Sequence, residues 1–397
     1  VWLGHRVSRG RRADGADFLL AGRSLPTLLV LGTTLATMVG TGSSIGAVGF
    51  GYAHGWAGAL YGIGGACGIL LAAWWFAPAR AQGFMTLSEE LSWYVGGSTV
   101  VRHAVAVIIY LACIGWLGAH ILGGGMYLAW ISGIDPAAAK LLVALGFGIY
   151  TLVGGYRAVV WTDSLQAVVL FAGFLLMAWV SVQAAGGWGE VAVAARATPL
   201  PVLSALSLAV AIAVGVLATP SFRQRIYSAR SVGAVRRSFV LTGLLYLGFS
   251  FVPAVIGISA AVLDPGLANR NFAFPFLAMD VLPLAIGAVV LLAGLSATLS
   301  SASSDAIAGV AGLVRDLYAL AFGRVPEPRH VVRISRIAMA VSVAAALGLA
   351  LVSDDVVTYI AGMISTVMSG LFACGVLGRF WPRFRWTGAL AALLAGA

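Results

Sequence analysis

The chain has 397 residues, of which 10% are charged and 60% apolar, with a mean hydropathy of +0.98 and a formal net charge of +10. Soluble domains carry about a quarter charged residues, so an ordinary water-soluble protein is excluded. Continuous apolar runs far longer than the alternating segments of a barrel indicate an all-α polytopic protein embedded in a lipid bilayer.

The runs lie near residues 25–53, 55–77, 100–132, 137–153, 162–185, 202–220, 239–263, 282–312, 331–352 and 355–378, ten spans in one transmembrane domain covering 1–397. Val1 to Gly4 reads as the end of an earlier span, and 387–397 as the start of a further one too short to cross, so truncated extra helices are expected at both ends. Within the first span, Leu35-Ala36-Thr37-Met38-Val39-Gly40-Thr41-Gly42-Ser43-Ser44-Ile45-Gly46 places three glycines and four hydroxyls near the midpoint. Backbone there unwinds easily, and the freed carbonyls must meet protein, water or a cation. The next span carries Gly58-x-x-x-Gly62 and Gly64-x-x-x-Gly68, the spacing of close helix packing. Cys67, Cys113 and Cys374 lie singly in different spans as small apolar packers, and His120, inside the third, reads as a packed neutral imidazole.

The sixth span ends Leu217-Ala218-Thr219-Pro220-Ser221-Phe222-Arg223-Gln224-Arg225, with a proline where the helix meets a basic segment. Spans one and six are thus both interrupted and five apart, the relation expected of inverted five-helix repeats at about 25–185 and 202–378. The eighth contains Ala297-Thr298-Leu299-Ser300-Ser301-Ala302-Ser303-Ser304-Asp305, with Ala297, Ser300, Ser301 and Ser304 on one helix face. Four serines beside a buried acid point to an ion site. Carbonyls and hydroxyls suit sodium or potassium, whereas zinc calls for Cys or His and calcium for several carboxylates.

Of 24 basic residues, 21 fall on alternate connections, leaving Lys140, Arg196 and Arg270 for the other side. By the positive-inside rule the Arg-rich connections are cytoplasmic, in a multi-pass protein of the plasma (inner) membrane. The basic surplus is therefore an orientation signal and implies no nucleic-acid partner.

The segment Gly154-Gly155-Tyr156-Arg157-Ala158-Val159-Val160-Trp161-Thr162-Asp163-Ser164-Leu165-Gln166 resembles the signature of the solute:sodium symporter family, whose members include proline, sugar, sialic acid and choline transporters. Asp17-Phe18-Leu19-Leu20-Ala21-Gly22-Arg23-Ser24-Leu25-Pro26 is similar to that family's lead-in to its first core helix. Arg223-Gln224-Arg225 and Arg315-Asp316-Leu317-Tyr318 also fit, so the likeness covers nearly the whole chain. It implies the inverted-repeat (LeuT-like) fold, with the first and sixth helices broken around a central solute site. It further implies that sodium is held by the carbonyls of Ala36, Val39 and Ala297 and the hydroxyls of Ser300 and Ser301. Some members hold a second sodium, for which the matching residues are Asp163, Ser303 and Ser304.

The family's solute pocket maps to Met38, Ser43, Tyr61, Trp116, Phe222 and Ser369. Residues 34–42 and Trp116 are similar to the choline branch, although Met38 and Thr219 stand where that branch has further tryptophans. An amino acid, an amine, a monocarboxylate or a vitamin acid all stay open. The implied activity is sodium-coupled symport of a small organic solute by alternating access. The alternatives are an uncoupled uniporter or channel and a transporter-like sensor domain. No nucleophile with a base, metal cluster or phosphate-cradling loop suggests an enzyme.

Overall fold

A computed structural model describes residues 15–195, 200–353 and 356–396. The expectations for Val1 to Gly4 and for Arg6, Arg9, Arg11, Arg12 and Arg196 lie outside the described residues. Among the described residues the regular structure is helical, apart from one isolated bridge between Leu25 and Ala229. Hydrocarbon offers backbone groups no partner, and a helix satisfies them within its own segment.

The helices used below are α1 (Thr27–Met38), α2 (Ala47–His54), α3 (Ala59–Trp75), α4 (Leu87–Tyr94), α5 (Thr99–Ser132), α6 (Pro136–Ala184), α7 (Val202–Ala218), α8 (Pro220–Ser228), α9 (Val232–Phe249), α10 (Phe251–Leu263), α11 (Leu284–Gly312), α12 (Pro328–Leu351), α13 (Val356–Met363), α14 (Ser369–Phe380) and α15 (Trp386–Ala395). Among the described residues six helical stretches are long and apolar enough to cross a membrane, or seven if α7 with α8, bent by 45°, is taken as one span. The stretch Gly42–Trp75 doubles back at Gly55, whose φ is +58°, bringing Gly58 against Gly51.

Two boundaries depart from the hydropathy reading because charge conceals helix. The span expected at 239 begins at Val232, where Ser231 accepts from the Ala234 amide at 3.1 Å and caps a helix that carries Arg236 and Arg237 in its second turn. The span expected at 162 begins at Gly155, and its Arg157 donates to Asp17 Oδ1 and the Ala21 carbonyl, both at 2.8 Å.

The serine-rich half of α11 is continuously buried, packed against α5 and α6. Large apolar side chains such as Trp179, Leu203 and Leu292 are exposed, as a lipid-facing surface requires. Small residues let backbones meet inside: a Cβ on Gly64 would stand 2.3 Å from the Ala209 carbonyl oxygen, and one on Gly68 2.9 Å from that of Ala213. Arginines stitch the connections at one end, where Arg80 donates to the carbonyls of Ala229 and Arg23 and Arg102 bridges Glu89 and Asp316 at 3.0 and 2.8 Å. Elsewhere Lys140 Nζ donates to the carbonyls of Ala350 and Ser353 at 2.8 and 3.1 Å.

Gly155 divides α6 with φ +61° and ψ −171°, and a Cβ there would approach the Phe18 ring at 2.8 Å. Only glycine adopts that conformation readily. Gly155→Ala is therefore expected to destabilise the fold by about 1–3 kcal/mol, seen as a lower thermal midpoint in detergent; an unchanged midpoint contradicts this account.

Candidate ion and solute site

The site begins where α1 fails. The helix ends at Met38, Val39 leaves helical geometry (φ −91°, ψ 68°), and a π-turn follows over Gly42–Gly46. Gly40 and Gly42 weaken helical propensity, and Ser43 donates back to the carbonyls of Met38 and Gly40 at 3.2 and 3.1 Å. Gly40 also clears space, since a Cβ there would lie 2.6 Å from Ser301 Oγ.

Through that space α11 reaches the frayed end of α1. Ser300 Oγ lies 3.1 Å from the Ala36 carbonyl oxygen and 2.9 Å from that of Ala297, its donor shared between them. Ser301 Oγ lies 3.5 Å from the Ala36 oxygen and 3.2 Å from that of Thr37. Ala36, Ala297, Ser300 and Ser301 thus converge in a buried cluster of neutral oxygens, with Val39 at the adjoining break. Such a set fits a hard monovalent cation.

One turn further along α11 lies a charged cluster. Asp163 Oδ2 accepts from Thr33 Oγ1 at 2.6 Å and Ser304 Oγ at 3.1 Å, and stands 3.6 Å from Arg225 Nη2. That guanidinium nitrogen also reaches Ser304 Oγ at 2.7 Å, Thr33 Oγ1 at 2.9 Å and the Thr37 hydroxyl. Asp163 and Ser304 are therefore together, whereas Ser303 turns aside to donate to the Ser300 carbonyl at 3.0 Å. Arg225 as the partner of Asp163, 62 positions away on another helix, had no signal in local spacing.

A cavity of about 50 Å³ adjoins the break. Met38, Tyr61, Trp116 and Phe222 line it, together with Tyr246, His120, Ser221, Asp305 and Ile364. Ser43 and Ser369 are not among the lining residues. Ser43 is engaged with the break, and Ser369 donates to the carbonyls of Ser365 and Gly396 at 3.0 and 3.1 Å, towards α15. His120 proves to be more than a packer: its Nε2 lies 3.1 Å from Asp305 Oδ2 and its Nδ1 3.0 Å from Thr41 Oγ1.

Below α7, nine consecutive buried residues form α8. Arg223 Nη1 bonds Glu90 Oε1 at 2.6 Å, and its guanidinium stacks 3.3 Å from the Phe76 ring centroid. Tyr94 donates to the same carboxylate at 2.8 Å, and Tyr227 donates to its other oxygen. Burial raises the Tyr94 hydroxyl above the ordinary phenol range, and the negative Glu90 adds to this, so it remains a donor. Glu90 lies in a connection and was missed as a partner for the basic segment.

A sodium:solute symporter family model matches residues 18–396. The chain is 27% identical to the high-affinity proline transporter PutP of Bacillus subtilis (strain 168), covering 98% of this chain and 86% of that protein. It is 24% identical to the sodium/pantothenate symporter of Escherichia coli (strain K12), over 96% of this chain and 82% of the relative. In fold it is similar to a Na+-coupled sialic acid symporter in a substrate-bound outward-open state, with a TM-score of 0.87 at 20% identity over 98% of this chain and 86% of that one.

The Glu90–Arg223 pair yields a test of the buried electrostatics. Glu90→Gln leaves a buried guanidinium without its counter-charge and should lower stability by about 3–5 kcal/mol. Glu90→Gln combined with Arg223→Met should recover much of that loss; equal loss in single and double variants would show the pair to be uncoupled.

Proposed function

Because the chain belongs to the sodium:solute symporter family, we propose that the junction of α1 with α11 holds the coupling sodium and that the adjoining cavity holds the solute. The chain is a transporter and not an enzyme, and it works by sodium-coupled symport with alternating access. The observation that carries the site assignment is the Ala36 carbonyl oxygen, 3.1 and 3.5 Å from the hydroxyls of Ser300 and Ser301.

An entering cation needs lone pairs, so both serine protons must rotate away from the carbonyls they now serve. Sodium then replaces two weak contacts by one charged centre shared between α1 and α11, with Ala36, Val39, Ala297, Ser300 and Ser301 as its ligands. Coupling follows if the ion binds more tightly to the conformation that admits solute. One charge moving inward releases about 2.3 kcal/mol per 100 mV and a tenfold sodium gradient about 1.4, which supports roughly 500-fold accumulation of a neutral solute.

The finer architecture of this reading is a single transporter domain of ten core helices in two inverted repeats, about 25–185 and 202–378. Its support is the matching pair of breaks, at Val39 and at Thr219, where φ −65° and ψ 123° interrupt the sixth span just before Pro220. The Arg-rich end is assigned to the cytoplasmic side of the plasma (inner) membrane, supported by the gathering of Arg23, Arg80, Arg102 and Arg157 there. A second sodium at Asp163, Ser303 and Ser304 belongs to the same reading and requires Arg225 to withdraw from Asp163 and Ser304.

The test is uptake into proteoliposomes across a panel of labelled solutes, with and without an inward sodium gradient. Ser300→Ala and Ser301→Ala should each raise the sodium concentration for half-maximal uptake by roughly tenfold. Flux indifferent to the gradient would sink the coupling. Asp163→Asn should reduce a Hill slope above one towards one, and an unchanged slope would remove the second ion from Asp163.

A further inference from the structure

The cavity carries a polarity that its apolar walls do not account for. Asp305 is 3% exposed; its Oδ2 contacts His120 Nε2 at 3.1 Å, while its Oδ1 is buried without a hydrogen-bond partner. The imidazole is not free to serve that second oxygen. Thr41 holds its far side at 3.0 Å, and the Trp116 ring lies stacked against it, 19° from parallel with centroids 6.2 Å apart. Trp116 Nε1 and Ser221 Oγ, on residues of the same cavity wall, are likewise buried without partners.

Buried polar groups are ordinarily paired, so these leftover valences describe a complementary molecule. Oδ1 calls for a donor, best a positively charged one, and Trp116 Nε1–H calls for an acceptor. Among the described lining residues there is no Lys or Arg to neutralise the carboxylate or to greet an anion. The rings of Tyr61, Phe222 and Tyr246 line the cavity and help exclude water from a bound cation.

We propose that this cavity selects solutes bearing a protonated amino group, with the ammonium seated on Asp305 and an oxygen of the same molecule accepting from Trp116 Nε1. His120 is a positioning residue that aims the carboxylate. The proposal rests on the reading of this cavity as the symport site and names the class of solute it takes. A monoanion would meet like charge at Asp305, and a sugar would bring no charge to offset its desolvation.

The test uses the full chain in proteoliposomes with three amines, L-proline, L-alanine and ethanolamine, set against cyclopentanecarboxylate, lactate and ethylene glycol, which lack the charged nitrogen. The expected result is sodium-driven uptake of at least one amine and of none of the counterparts. Asp305→Asn should raise the KM for that amine by roughly tenfold or more, and Trp116→Phe by a smaller factor, while sodium alone still raises the thermal midpoint of each variant. That midpoint separates a lost contact from a failed fold.

Sodium-driven uptake confined to the counterparts, or no amine uptake by a preparation that sodium stabilises, overturns the amine assignment and leaves symport standing. Amine uptake indifferent to sodium does the reverse. An Asp305→Asn KM within twofold of the parent removes Asp305 from recognition.

Discussion

A carbonyl released from a helix inside hydrocarbon must find another partner, and the organisation of this protein follows from how the end of α1 meets that demand. The oxygens of Ala36 and Thr37 are met by hydroxyls of Ser300 and Ser301, more than 260 positions away. For the contact to form, Gly40 must lack a side chain, Ser43 must hold the break from the other side, and α11 must lie in the centre of the bundle. Remove any of these and a frayed segment is left in a medium that cannot solvate it. The requirement that keeps the fold intact thus also assembles oxygens of the kind a monovalent cation needs.

Among the described residues two buried charge pairs lie near that junction, and α8 takes part in both. Arg223 engages Glu90 on α4, Arg225 engages Asp163 on α6, and Gln224 between them donates to the Leu19 carbonyl at 2.8 Å. Successive residues of one short helix are therefore tied to three separate parts of the chain. A displacement of α8 breaks several strong contacts together, which favours discrete positions over a graded slide. The hydrogen-bonded contact of His120 with Asp305 uses none of α8, and both residues line the cavity.

Local chemistry made the breaks legible. Glycines and hydroxyls at 36–46, Thr219-Pro220 and the serine run at 297–304 announce themselves because each violates what an apolar helix should contain. Helix ends were less legible where arginine lowered hydropathy within a continuing helix, as at Arg157 and Arg236. Pairings across long separations were not legible. Nothing near Arg225 indicates Asp163, and nothing near His120 indicates Asp305, because the encounter depends on which faces the packed helices present. Ser369 illustrates the same gap: it lies on a helix near the cavity, yet its hydroxyl is used towards α15.

The glycines of α3 have a mechanical meaning as well. Gly64 rests against the Ala209 carbonyl of α7, whereas at Gly68 the Val216 side chain of α7 occupies the space that a Cβ would fill. Bare backbone at Gly64 offers little friction to shear, and the one side chain to be lifted past its glycine is Val216 at Gly68. Close backbone contact of this kind, together with the ionic catches around α8, ties α3, α7 and α8 to their neighbours at a few definable points.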